Sequence, residues 1–155
     1  MLAAYRKIYP NRRPFLIKAM ITSDRQVRRN AVTQAERKTA QGGAPAYLYR
    51  WDWPVPGGGN KWGAVHGADL SLSFANPTTD MTLNTPQAKV MANRIGSAFI
   101  AFAKTGNPDV TAIPHWPAYN ASARPVMIFD TQTRVETDPN RALRLMWDGI
   151  LARNG

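Results

Sequence analysis

The order of elements legible in the sequence is helix, helix, strand, long loop, helix, hairpin, helix, which predicts a mixed α/β fold with an incomplete sheet. Three observations carry this expectation. Residues 46–53 alternate aromatic and other side chains with period two, residues 85–106 hold an amphipathic pattern between a start and a stop signal, and residues 126–136 contain two short β-rich runs around a polar turn. No internal repeat or low-complexity tract divides the 155 residues, and Pro54-Val55-Pro56-Gly57-Gly58-Gly59-Asn60 reads as a turn-rich loop rather than a boundary. Residues 1–155 are therefore expected to form one partial domain.

Leu2 to Tyr9 reads as a short helix ended by Pro10, with Asn11 to Pro14 as a loop. Ser23 or Asp24 can cap a second helix running to about Gln41, where Gly42-Gly43 stops it, with Val27, Ala31 and Ala35 on its thin apolar face. In Ala46 to Trp53 the side chains of Tyr47, Tyr49, Trp51 and Trp53 share one side of a strand. Thr85 as N-cap, Pro86 at the first helical position and Gly106-Asn107-Pro108 as terminator bound a helix whose buried stripe is Met91, Ile95, Ala98, Phe99 and Phe102. Val126 to Phe129 and Arg134 to Glu136 form a hairpin through Asp130-Thr131-Gln132-Thr133, and Asp138-Pro139 opens a last helix burying Leu143, Trp147, Ile150 and Leu151. Three short strands are a poor sheet, and the aromatic face of the first is suited to burial between layers. The sequence has the look of a piece with a missing neighbour.

With five Trp, five Phe and five Tyr, the chain has the bulk for a core. Zero cysteine excludes disulfides, Cys-ligated zinc, iron–sulfur clusters and a thiol nucleophile, and leaves the compartment open. The longest uncharged apolar stretch, Ile95 to Ala103, is about half of what spans a bilayer, and no apolar signal core follows Met1 to Tyr5, so no membrane insertion is expected. Net charge is +10, and residues 1–50 hold 11 basic against 2 acidic side chains. Many of these cations fall on the second helix, where a solvated face accounts for them, so nucleic acid is not the expected partner.

Self-contained chemistry is hard to find. Two histidines and no ligand-spaced cluster leave no metal site, and no cofactor is expected. None of the five serines sits in a strand-turn-helix nucleophile setting, and Gly57-Gly58-Gly59 lacks the Lys-Ser/Thr of a phosphate loop. His66 stands out, in Trp62-Gly63-Ala64-Val65-His66-Gly67-Ala68-Asp69, because small neighbours leave the imidazole accessible in the loop region after a strand. It is either a base placed where α/β enzymes gather ligands or a loop histidine bonded to main chain. His115, between Pro114 and Trp116, reads as a surface or packing residue.

Five blocks in order carry a resemblance: Asp24; Ala46-Tyr47-Leu48-Tyr49-Arg50-Trp51-Asp52-Trp53; Gly63-Ala64-Val65-His66-Gly67-Ala68-Asp69-Leu70; Ala101-Phe102-Ala103-Lys104-Thr105-Gly106-Asn107-Pro108; and Trp116-Pro117-Ala118-Tyr119. This series resembles the C-terminal part of type-B carboxylesterases, the family that includes cholinesterases. It runs on through Met127 to Val135 and Arg141 to Trp147, and weakly back to Tyr5 and Tyr9-Pro10, covering almost the whole chain. The resemblance implies the last portion of an α/β-hydrolase: one central-sheet strand, a C-terminal hairpin and about four helices.

It further implies that His66 is the base of a Ser, His, Glu/Asp triad, with Trp62, Val65 and Gly67 as candidates for lining the acyl or alcohol pocket. Nucleophile, oxyanion loop and triad acid precede this segment in the family. Asp69 matches a family carboxylate, usually Glu, that is not the triad acid, and Ser71-Leu72-Ser73-Phe74 is more polar than the family's run there. The expected function is thus to supply the histidine of a serine carboxylic-ester hydrolase acting on a small ester, inactive without the upstream part. The alternatives are a module that complements an upstream polypeptide or self-associates through an open strand edge, and a basic nucleic-acid-associated protein.

Overall fold

A computed structural model describes residues 1–153. The chain forms α1 (Leu2–Ile8), α2 (Pro14–Ser23), a π-helical turn (Asp24–Arg28), α3 (Arg29–Ala40), β1 (Tyr49–Trp51), α4 (Leu70–Ser73), α5 (Pro86–Thr105), β2 (Pro125–Phe129), β3 (Arg134–Thr137) and α6 (Arg141–Leu151). The sheet order is β1-β2-β3. β1 runs parallel to β2, with Tyr49 opposite Met127 and Trp51 opposite Phe129, and β2 pairs antiparallel with β3. Every residue of β2 is buried, as the centre of a covered sheet requires.

The principal core lies between the sheet and α5. Met91, Ile95 and Ala98 face Leu72, Met127, Phe129, Trp53 and Trp116. The expected caps of α5 are all in place: Thr85 Oγ1 accepts the Ala88 N–H at 3.1 Å, Pro86 opens the helix and Gly106 closes it in the left-handed region at φ 75°. Midway along it, a Cβ on Gly96 would stand 3.4 Å from the Leu72 carbonyl oxygen, so the missing side chain lets α4 lie directly on α5. A second core joins the two ends of the chain, with Tyr5 of α1, Ile17 of α2 and Leu143 of α6 at its centre. There the Trp147 indole N–H donates to Tyr5 Oη at 2.8 Å, and the Tyr5 hydroxyl donates to Asp24 at 2.6 Å.

Several expectations need correction. The second helix does not start at Ser23 or Asp24, because helix already begins at Pro14 and both residues have helical dihedrals with no capping bond. Asp24 is unavailable as a cap, since its carboxylate takes the Tyr5 hydroxyl and lies 3.5 Å from Arg28. The π-turn that follows breaks the 3.6-residue spacing, which is why Val27 is turned out to solvent while Ala35 stays buried. The strand expected over 46–53 is regular only at 49–51, because the Phe129 carbonyl accepts from both Asp52 N–H and Trp53 N–H and ends the ladder. Its side-chain alternation nonetheless persists, with Tyr47, Tyr49, Trp51 and Trp53 all on the core. The long loop contains one unexpected turn of helix, α4, anchored by fully buried Leu72.

The last helix begins at Arg141, not at Asp138-Pro139. Asp138 instead receives Arg144 through Nε at 2.8 Å and Nη2 at 2.6 Å, and Asn140, left-handed at φ 58°, donates to Tyr9 Oη at 2.6 Å. Of the expected buried face, Leu143 and Trp147 are buried and Ile150 and Leu151 are half-buried.

Two outcomes follow. Phe129→Ala, at the meeting of three aromatic neighbours, should lower unfolding free energy by about 3–5 kcal/mol; denaturant melts showing less than about 1 kcal/mol would place the main core elsewhere. Hydrogen bonds from Arg144 chiefly, then its charge, hold the Asp138 carboxyl below its ordinary value against the opposing effect of burial. A depressed folded pKa contributes stability above the unfolded value, about 3.9, and that stability is lost as pH falls through the folded value. Asp138→Asn should therefore flatten the decline in melting temperature below about pH 4; an unchanged acid limb would contradict the pairing.

Candidate active site

The connection leaving β1 is built from closely spaced backbone contacts. Gly57 N–H donates to the Met81 carbonyl at 2.8 Å, and a Cβ on Gly57 would sit 2.3 Å from the Asp80 carbonyl oxygen, so only glycine fits. Val55 N–H donates to the Gly63 carbonyl at 3.1 Å, closing the loop that contains Trp62. The Trp62 ring lies under Lys61 Nζ at 4.7 Å and meets the Phe15 ring edge-on at 6.4 Å, while Leu16 packs where a Gly63 side chain would be. Both Trp62 and Phe15 are exposed.

His66 sits in a tight turn directly after this. Ala68 N–H donates to the Val65 carbonyl at 3.1 Å and Leu70 N–H to the Gly67 carbonyl at 3.2 Å, with Gly67 in the left-handed region at φ 79°. Ala68 is buried and pins the turn, Val65 and Gly67 are half-buried, and the imidazole of His66 is exposed. Among the described residues neither ring nitrogen of His66 has a hydrogen-bond or ionic partner. The alternative of a loop histidine tied to main chain is therefore not the arrangement present. Trp62, Val65, His66 and Gly67 are gathered by one loop.

Asp69, three residues on, does not bond to His66. Its carboxylate accepts the Tyr49 hydroxyl at 2.7 Å, and its carbonyl accepts Ser73 N–H at 2.8 Å and Ser73 Oγ at 2.9 Å. Burial foremost, then the bond to Asp69, pushes the Tyr49 phenol up from its already alkaline value, so it remains a proton donor. Among the described residues the one histidine–carboxylate pair is elsewhere: His115 Nδ1 lies 2.7 Å from Asp109, whose other oxygen accepts Trp116 N–H at 2.7 Å. Partial burial pushes the Asp109 carboxyl up, but these bonds and one from Asn107 prevail and hold it low. No hydroxyl bonds to either histidine among the described residues, so this pair serves to seat Trp116 in the core. Sequence reading missed it, although Asn107-Pro108-Asp109 is a recognisable side-chain-capped turn.

A cleft of about 340 Å³ between α3 and α6 is lined by Asp24, Arg28, Glu36, Arg124, Arg144 and Asp148, among others. It shares no residue with the histidine loop. Arg28 is committed to Asp24 and the Pro139 carbonyl, Arg124 to Glu36, and Arg144 to Asp138 and Asp148. Among the described residues no group of three or more His, Cys, Asp or Glu could hold a metal, and no helix is long and apolar enough to cross a membrane. What the histidine loop offers chemically is one accessible imidazole able to accept and return a proton, with no hydroxyl of its own to activate.

Comparison with known proteins places this geometry. The model of the carboxylesterase family matches residues 15–146. The para-nitrobenzyl esterase of Bacillus subtilis (strain 168) is 37% identical over 106 residues, 65% of this chain and 21% of that protein. The acetylcholinesterase of Bungarus fasciatus is 28% identical over 134 residues, 79% of this chain and 21% of that protein. Among solved structures, the Geobacillus stearothermophilus carboxylesterase EST55 superposes with a TM-score of 0.75 at 27% identity, covering 93% of this chain and 31% of that one. A PNB esterase does so at 0.71 and 31%, covering 94% and 30%. The chain spans about a fifth of the length of the curated relatives it matches. Its open three-stranded sheet and helices are accordingly part of an α/β-hydrolase fold, and the chain belongs to the carboxylesterase family.

Proposed function

We propose that this chain is the segment of a serine carboxylic-ester hydrolase that supplies the general base, His66. The observation that carries the reading is the accessible imidazole, without a partner among the described residues, held on a pinned turn in the connection that leaves β1. In such a role the imidazole takes the proton of a serine hydroxyl as the oxygen attacks an ester carbonyl, then gives that proton to the departing alkoxide. The acyl-serine is hydrolysed by the same sequence with water, releasing the acid. Trp62, Val65 and Gly67, on the same loop, are read as lining for the acyl or alcohol group.

These 155 residues hold no nucleophile-elbow serine, so the base alone has no differential hold on a transition state. We therefore read the chain as inactive by itself. A second reading, a module completed by an upstream polypeptide, is favoured by the edge position of β1. On that strand Arg50 Nη1 and Trp51 Nε1 are buried without hydrogen-bond partners, the condition that a neighbouring element relieves.

Both readings are tested together. The purified chain should not turn over a p-nitrophenyl ester, whereas mixing with the upstream portion of a carboxylesterase should restore turnover, and His66→Ala should then lower it by on the order of 10⁴- to 10⁶-fold. Turnover by the chain alone, or restored turnover indifferent to His66→Ala, would refute the assignment.

A further inference from the structure

We infer that Tyr49 is a positioning residue for His66: its hydroxyl, fixed by the core, clamps Asp69 and so holds the histidine turn on the sheet. The functional meaning of the clamp rests on His66 being the base, but its existence does not.

Three features of the structure converge on it. First, the Tyr49 ring cannot swing, because it meets Phe99 at 5.8 Å, Phe129 at 5.8 Å and Trp116 at 6.3 Å, all edge-on. Its hydroxyl is thereby aimed at Asp69 from the start of β1, 2.7 Å from Oδ2. Second, Asp69 is the only described acceptor for that hydroxyl, and its own main chain is tied to α4 through Ser73. The side chain thus links sheet and helix at the residue where the histidine turn ends. Third, beyond the packing of Val65 and Ala68 on the main core, the turn has few other ties. Between Gly63, against Leu16, and buried Ala68, residues 64–67 contribute only the Val65 and Gly67 carbonyls to backbone bonds, and His66 itself bonds to nothing described. An imidazole without partners of its own is placed by its backbone, and the backbone is placed by the nearest rigid attachment. A phenol donating to an ionised carboxylate is a strong attachment of that kind, roughly twice a neutral bond. His115 provides the contrast, since it carries its own carboxylate, Asp109, and needs no such support.

The test uses the intact 155-residue chain. Two histidines make the imidazole signals assignable, with His66→Gln identifying one of them. Tyr49→Phe, which leaves the ring in the core, and Asp69→Ala, which leaves the core untouched, should each lower backbone order parameters over residues 64–67 from about 0.85 toward 0.6. Amide exchange at Ala68 and Leu70 should accelerate about ten- to a hundredfold, while exchange in α5 and β2 and the His115 signal stay unchanged. Asp69→Asn keeps an acceptor oxygen for the phenol and should restore most of the order. Turn order unaffected in both variants, or loosening spread equally into β2 and α5, would overturn the proposal. Because the readout is structural, a failure of the clamp is distinguishable from a failure of His66 to support ester hydrolysis.

Discussion

The structure depends on one arrangement, the aromatic face of the chain segment 47–53 laid against α5 and the Trp116 loop. Tyr47, Tyr49 and Trp51 meet Phe102, Phe99, Trp116 and Phe129 edge-on or tilted with centroids 5.8–6.4 Å apart. Edge-to-face rings of this kind contribute both area burial and geometric specificity. The packing fixes where α5 crosses the sheet and which way the loop after β1 leaves. From that departure follow the Gly57 crossing, the Trp62 loop and the turn of His66. A single strand only three residues long thereby organises most of the main core.

Where the sequence was legible, local and tertiary signals agreed. The helix from Pro86 to Thr105 carries a cap, an N1 proline and a terminal glycine that act as their chemistry suggests, while of its expected buried stripe Met91, Ile95 and Ala98 are buried, Phe99 is half-buried and Phe102, at the helix end, is exposed. The alternation through Tyr47–Trp53 and the hairpin around Asp130–Thr133 were readable for the same reason. Two of the misreadings involve an acidic residue with a longer-range partner. Asp24 has the composition of a cap but is claimed by Tyr5, nineteen residues away, and Asp138 is claimed by Arg144 rather than by backbone N–H groups. The π-turn at Asp24–Arg28 has no local sequence signature, and α4 is a single turn supported by Gly96 of α5 rather than by propensity.

At the site, the prominence of His66 came from its small neighbours, and that much was visible in one dimension. The Tyr49–Asp69 bond was not, because nothing in a strand's alternation shows where a phenolic oxygen ends up twenty residues away. The Asp109–His115 pair is the converse case: a histidine–carboxylate bond that has the outward form of catalytic machinery and the surroundings of a loop brace. Separating the two requires the hydroxyl that each could reach, and geometry rather than residue type makes that distinction.

The match takes in nearly all of this chain and under a third of its solved relatives, so the account stands on how the histidine turn meets what lies upstream. The most direct measurement is an experimental structure of these residues assembled with the upstream portion of the hydrolase. The account expects an imidazole nitrogen of His66 within about 2.6–3.2 Å of a serine hydroxyl. A structure in which the upstream portion docks fully and His66 still faces solvent, remote from any nucleophile, would contradict it.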